Sequence, residues 1–448
     1  MDRYKMMTKT PIPRLILTLS VPTIISMLVT GIYNTADTFF VGKISTQATA
    51  AVGLVFSVMA IIQALGFFCG HGSGNFLGRR IGAGDMKEAE EMSATGLTLD
   101  VLLGLVITAL GLIFDEEIAH LIGATPTTME DTLHYMRIIL IGVPFMMSQF
   151  VVNNQLRFQG NAMYAMIGLM CGAIINIFLD PILILGFGLG VRGAAIATVA
   201  GQITSFFVLI IGSQRGENIR FHFRNIHINA YYLREIINGG SPSLFRQGLA
   251  AVSTLLLNTS AGSLGGDAAI AGMSVVTRVM MLVASVLIGF GQGYQPVCSF
   301  NYGAGLKSRV REGYFFLAKY SILFLVLGAA LCLGFSENII GWFRDDPDVI
   351  SVGKEALKYQ ALALPLMGII VPTNMMLQSI GKGLKASITA SARNGIFFVP
   401  LILILPRAFG LWGVEITQAL ADVFSVILSV PLAYSELKTM TKDALPPL

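Results

Sequence analysis

Hydrophobic residues in this chain come in long blocks separated by short polar breaks. Blocks of membrane-spanning length lie near 14–40, 49–78, 93–114, 132–156, 162–185 and 193–212. Six more follow near 235–262, 268–300, 313–335, 350–380, 386–406 and 411–434. About 20 residues of helix cross a hydrocarbon layer, so the pattern predicts an all-α integral membrane protein of twelve transmembrane helices. The longest polar stretch, SQRGENIRFHFRNIHINAYYLRE, divides the blocks six and six. It predicts an N-terminal lobe over 1–213, a linker over 214–234 and a C-terminal lobe over 235–448.

An internal repeat gives the two sets of six a common origin. IGAG at 81–84 recurs as YGAG at 302–305, an offset of 221, and GHG at 70–72 meets GQG at 291–293. Pro144 meets Pro365 and Gly160 meets Gly381 at the same offset, while Pro22 meets Pro242 and Gly190 meets Gly410 at 220. Each repeat holds an even number of spans. The halves therefore share one membrane orientation and are predicted to be two six-helix bundles related by a pseudo-twofold axis along the membrane normal.

Lysine and arginine placement sets that orientation. With the N-terminus cytoplasmic, twenty basic residues fall on that side, among them Arg79, Arg80, Arg157, Arg215, Arg393 and Lys442. Five fall opposite: Lys43, Arg192, Arg344, Lys354 and Arg407. Both termini are predicted to be cytoplasmic in a multi-pass protein of the plasma (inner) membrane. The basic start MDRYKMMTKTPIPR runs straight into a full-length apolar block, so the first span is expected to be retained.

Composition agrees: the chain is 54% hydrophobic and 12% charged, against about 25% charged in soluble domains, with a mean hydropathy of +0.71. A net charge of +4 is no nucleic-acid footprint. Four cysteines lie singly in apolar blocks and suit packing. No HExxH, paired histidine or serine or cysteine beside a histidine base is present, so an enzyme is not expected, and no cofactor beyond a coupling ion.

Carboxylates inside a membrane are expensive and functional by default. Asp37, Asp180 and Asp422 lie away from the ends of apolar blocks, with Asp100 and Glu415 nearer an interface. Asn176 precedes Asp180 by four residues, so both share a helix face. Pro181 leaves the carbonyl of residue 177 without its usual donor. With a hydroxyl from Thr198, these oxygens suit H⁺ or a hard cation such as Na⁺. The repeat places Pro400 or Leu401 opposite Asp180 and Leu257 or Asn258 opposite Asp37, so the candidate site belongs to the N-terminal lobe alone. For Asp422, and for the helix-embedded Arg246 and Arg278, a structural role is expected. The GHGSG run at 70–74 suits close helix packing, and His71 alone makes no metal site. Tyr33, Asn34, Asn153, Met163, Met273, Gln292 and Gln295 are further candidates to line a substrate path.

YNTADTFFVG, GAGD, NIFLDPILI, GAAIAT and TRV…GFGQGYQPVCSFNYGAG together resemble the prokaryotic branch of the MATE (multidrug and toxic compound extrusion) family, over nearly the whole chain. The resemblance implies two six-helix bundles around a V-shaped cavity, and export of cationic, lipophilic organic compounds in antiport with H⁺ or Na⁺ by alternating access. The family's N-lobe cation site maps onto Asp37, Asn176, Asp180 and Thr198. The small-molecule substrates and the lipid bilayer are then the only partners expected, and the protein is expected to work as a monomer. A flippase for lipid-linked oligosaccharide or lipid is the alternative; it predicts several cationic groups along the cavity, and the first lobe shows almost none within its blocks.

Overall fold

The structure, a computed structural model, describes residues 3–440 apart from the side chains of 33–35 and 38. Tyr33, Asn34 and Lys442 therefore lie outside what is described. The described residues form helices and connecting turns, with no strand. After a short helix Arg3–Lys9 come α1 (Ile12–Val41), α2 (Thr46–Gly82), α3 (Met86–Ile113) and α4 (Met129–Phe158). Then come α5 (Ala162–Gly186) and α6 (Gly190–Ser213). The second half opens with a helix of 74 residues, Ala230–Gly303, so the predicted linker ends four residues early. At 1.5 Å per residue such a rod would far exceed a bilayer. It breaks at Gly266, where φ is 61° and ψ −153°, into α7 (230–265) and α8 (267–303). Eleven continuous apolar helices thus supply the twelve spans. The remaining four are α9 (Lys307–Gly334), α10 (Pro347–Ser379), α11 (Gly383–Phe409) and α12 (Leu411–Leu437).

The repeat is visible in atomic detail. On α3 the exposed apolar residues Leu102, Leu105, Val106 and Leu110 form one stripe. Their partners 221 positions on, Leu323, Val326, Leu327 and Leu331, form the same stripe on α9. Stripes of exposed leucine are untenable in water and ordinary against lipid tails. Asn153 donates to the Ala165 carbonyl at 2.8 Å, and Asn374 makes the same bond to Ala386 at 2.7 Å. Gly160 and Gly381 both turn the chain with φ of +83°.

Three apolar clusters show how the bundles meet. One, with Val52, Tyr135, Met136 and Val191, lies wholly in the first half, and another, with Leu257, Leu325, Leu357 and Phe398, wholly in the second. The third joins them, combining Ile16, Leu77 and Phe158 with Tyr294, Phe300 and Leu377. The bundles thus share a core at one end only, which is the geometry of a V. At that vertex α2 crosses α8 backbone to backbone: a Cβ on Gly82 would sit 2.0 Å from the Phe300 carbonyl oxygen. In the GHG and GQG runs, Gly72 presses on the backbone of Ile236 and Gly293 on that of Ser20, so close helix packing accounts for both motifs.

The short N-terminal helix ties this end together. Arg3 donates to the Glu217 carbonyl at 2.9 Å and to Asn218 Oδ1 at 2.8 Å. Asn301 Nδ2 and Arg309 Nη2 donate to the Met7 carbonyl at 3.1 and 3.3 Å, and Arg309 Nη2 also to that of Thr10 at 2.6 Å.

Two loop assignments need correcting. Arg157 is no loop residue: it lies in the last turn of α4, 2% exposed, with its side chain turned inward. Arg393 lies in a π-helical turn of α11, Ala392–Ile396, and pairs with the buried Asp422. Removing these two takes the basic tally from twenty to eighteen against five, which leaves the predicted sidedness unaltered.

Candidate functional site

The structure gathers the four residues of the predicted cation site. Asp37 comes from α1, Asn176 and Asp180 from α5, and Thr198 from α6; their exposures are 2, 1, 0 and 3%. Glycine allows this closeness. A Cβ on Gly172 of α5 would stand 2.5 Å from the Gly201 carbonyl oxygen of α6, and one on Gly201 would stand 2.7 Å from that of Gly172. With the helices this near, Asn176 Nδ2 donates to Thr198 Oγ1 at 3.4 Å. Directly after Pro181 the helix widens into a π turn over Ile182–Gly186, a distortion common at functional sites.

The cluster is under-satisfied. Asp37 Oδ1, Asn176 Oδ1 and both oxygens of Asp180 are buried with no hydrogen-bond partner among the described residues. The two carboxylates lie within electrostatic reach of each other. Buried polar atoms are normally paired, so four orphaned oxygens in one place favour a positive guest. Oxygen ligands suit a hard cation, and two close carboxylates suit a shared proton. No group of three or more His, Cys, Asp or Glu converges among the described residues.

Next to α1 lies a cavity of about 450 Å³. Its walls are Met27, Phe67, Phe150, Met166 and Leu169, with Thr23, Ser26, Thr30, Gln63, Asn153, Arg157 and Gln292 supplying polar atoms. The three α1 hydroxyls donate to carbonyls one turn back, at 2.8–2.9 Å, which leaves their lone pairs to face a ligand. Of the residues predicted to line a substrate path, Asn153 and Gln292 do so here. Gln295 is fully buried and donates to Gln378 Oε1 at 3.0 Å, and Met163 is 54% exposed beyond the cavity walls. Met273, 0% exposed, fills the core of the second bundle, where a flexible thioether suits an irregular gap.

Other polar residues depart from expectation. Asp100 lies in the middle of α3, fully buried, and accepts from Ser148 Oγ at 3.2 Å instead of sitting near an interface. Asp422 is structural: Arg393 Nε stands 2.7 Å from its Oδ1. Arg246 is held by Asn374 Oδ1 at 2.8 Å and Ser243 Oγ at 3.4 Å, whereas Arg278 is exposed and not locked. Arg157 is the residue missed. Its Nη1 donates to Gln292 Oε1, and its Nη2 to Asn154 Oδ1 and, at 3.2 Å, to His71 Nε2. His71 Nδ1 lies 3.2 Å from the Phe67 carbonyl, so the ring is the neutral Nδ1–H tautomer.

Comparison with known proteins agrees with this architecture. The family model MatE matches twice, over residues 22–182 and 242–404, one copy in each half of the repeat. The multidrug export protein MepA of Staphylococcus haemolyticus is 28% identical over 430 residues, covering 95% of this chain and 94% of its own. MepA of Staphylococcus aureus strain MSSA476 is 27% identical over 438 residues, covering 97% and 96%. A solved outward-facing structure of a multidrug resistance MATE transporter of the MOP superfamily is 26% identical and superposes with a TM-score of 0.91 over 99% of both chains.

Proposed function

Because the chain belongs to the MATE family of multidrug efflux transporters, we propose that it exports amphipathic, largely cationic organic compounds in antiport with H⁺ or Na⁺. The observation that carries this reading is the set of orphaned oxygens on Asp37, Asn176 and Asp180, buried in the first bundle. At the equivalent positions the second bundle has Pro400 or Leu401 and Leu257 or Asn258, so coupling is assigned to one lobe. Its lobes are 1–213 and 235–448, joined by 214–234, and it works as a monomer in the plasma (inner) membrane with both termini cytoplasmic.

Transport follows from two states of the V. Here the vertex is closed and the opposite end parted, which in the proposed orientation opens the cavity outward. Compound leaves to the outside as a cation enters at Asp37 and Asp180 and neutralises their mutual repulsion. Neutralisation removes the cost of enclosing two like charges and lets α1, α5 and α6 tighten, the change that biases the lobes toward the inward-open state. The cation is cargo: it binds from one side and departs to the other.

Efflux from proteoliposomes under ΔpH or ΔNa⁺, imposed separately, tests the proposal. Wild-type protein is expected to respond to one gradient and Asp37→Asn to neither; well-folded Asp37→Asn that exports like wild type would end the coupling role. A flippase for lipid-linked sugars ranks second. It gains one cationic cavity group in Arg157, but a cavity of about 450 Å³ fits a drug-sized guest.

A further inference from the structure

One buried charge takes no part in the cation site. Arg157 lines the cavity beside Gln292 and Asn153, 2% exposed. Its Nη atoms are bound to Gln292, Asn154 and the neutral ring of His71, while its Nε has no partner. The second buried guanidinium, Arg246, lies within electrostatic reach of it and also rests on neutral oxygens. Among the described residues no carboxylate stands within 4 Å of either. Neutral acceptors orient a guanidinium without cancelling its charge, so this region retains a demand for an anion.

The fold does not need that charge. At the position 221 residues on stands Gln378, equally buried, donating to the Gly239 carbonyl at 2.7 Å and Ser243 Oγ at 2.8 Å. An amide thus fills the same structural place in the second bundle. An arginine costs several kcal/mol to hold at membrane depth, and the repeat shows that a neutral residue serves for packing. A guest that repays the charge accounts for its presence.

We propose that this end of the cavity binds an oxyanion carried on a small amphipathic frame, so that zwitterionic and carboxylate-bearing compounds are substrates alongside organic cations. The proposal rests on the export reading above and narrows its substrate class. Phe67, Phe150 and Met166 offer an apolar wall to a flat ring system. Thr23, Ser26 and Thr30, their protons spent on their own helix, accept from the donor end of such a molecule. Arg157 takes its carboxylate. A lipid phosphate has the same oxyanion chemistry, and the test separates the two sources.

The full chain is placed in phosphatidylcholine nanodiscs, and binding of rhodamine 110, a free carboxylate, is compared by anisotropy with that of its methyl ester, rhodamine 123. A charged hydrogen bond predicts that wild-type protein prefers the acid by about tenfold or more. Arg157→Gln, which copies the residue the second bundle already carries, is expected to bring the acid-to-ester ratio to about one. Equal affinity of wild type for both dyes overturns the proposal, with no variant needed. So does a preference that Arg157→Gln leaves intact. Phosphatidylglycerol that displaces the acid assigns the site to lipid phosphate as well as carboxylate; failure to displace it assigns the site to carboxylate substrates, and both support an oxyanion site. Ester efflux from wild-type proteoliposomes separates the two readings. Export of the ester with no discrimination in binding sinks this inference alone, and discrimination without export of either dye sinks the export reading.

Discussion

Arg393 of α11 and Asp422 of α12 form an ion pair sealed inside the second bundle, Nε 2.7 Å from Oδ1, with Gln418 Nε2 adding a bond to the same oxygen at 3.2 Å. The carboxylate is 3% exposed. Removing one member of a buried pair strands the other, at a cost of about 3–5 kcal/mol. Asp422→Ala is therefore expected to lower the thermal midpoint in detergent markedly, and Asp422→Asn, which keeps an acceptor, to lower it less. Ion dependence of efflux is expected to be unchanged in the Asn variant. An Ala variant as stable as wild type would show that the pair contributes nothing.

Gly160 and Gly381 provide a test of the repeat itself. Both hold φ of +83°, and a Cβ on either would meet a flexible neighbour, Met7 Sδ at 3.1 Å or Arg79 Cζ at 3.2 Å. Alanine in the left-handed region costs about 1–2 kcal/mol. Gly160→Ala and Gly381→Ala should thus lose similar stability in thermal unfolding, and the double variant should lose the sum. Unequal losses would mean that the two turns do different work.

At the vertex, a Cβ on Gly303 would lie 1.9 Å from the Arg79 carbonyl oxygen. Backbone cannot rotate away as a side chain can, so Gly303→Ala pries α8 from α2, with an overpacking cost of about 1–3 kcal/mol. Cys298, fully buried in the shared core, reports on this. In a chain whose Cys69, Cys171 and Cys332 are serine, Gly303→Ala is expected to speed maleimide labelling of Cys298. Labelling at the wild-type rate would show that the crossing tolerates a methyl group.

The cation site predicts a separation of binding from coupling. Asp180→Asn preserves shape but removes a charge, so dye binding should persist while the response to an ion gradient disappears. Thr198→Val keeps the volume and deletes the hydroxyl that accepts from Asn176. With Na⁺ as coupling ion, it should raise the Na⁺ concentration for half-maximal efflux several-fold. A Thr198→Val protein with wild-type Na⁺ dependence would remove Thr198 from the ligand set.

The spans and their duplication were legible because lipid demands long apolar runs and because glycine cannot be replaced where backbones touch. IGAG and YGAG mark such contacts directly. Arg157 was not legible from loop charge, since RFQG reads as the end of a helix whether the arginine faces water or the interior. The signal was present in another form. The asymmetry that singles out Asp37 and Asp180 also sets Arg157 against Gln378. Met273 misled for the opposite reason: methionine suits a cavity and an irregular core equally well, and only packing separates them. Asp100 escaped because α3 begins at Met86, seven residues before its apolar block, which moves the carboxylate to mid-helix.

The N-terminal helix holds the linker through Arg3 and the second bundle through Met7 and Thr10, across the same end where the bundles share their core. Those few residues act as a clasp. Before the halves can part there, the clasp must let go or travel with one of them, so the barrier to each turnover is set partly by a segment that never meets the cargo. Compounds that wedge beneath it would stall the protein without competing for the cavity.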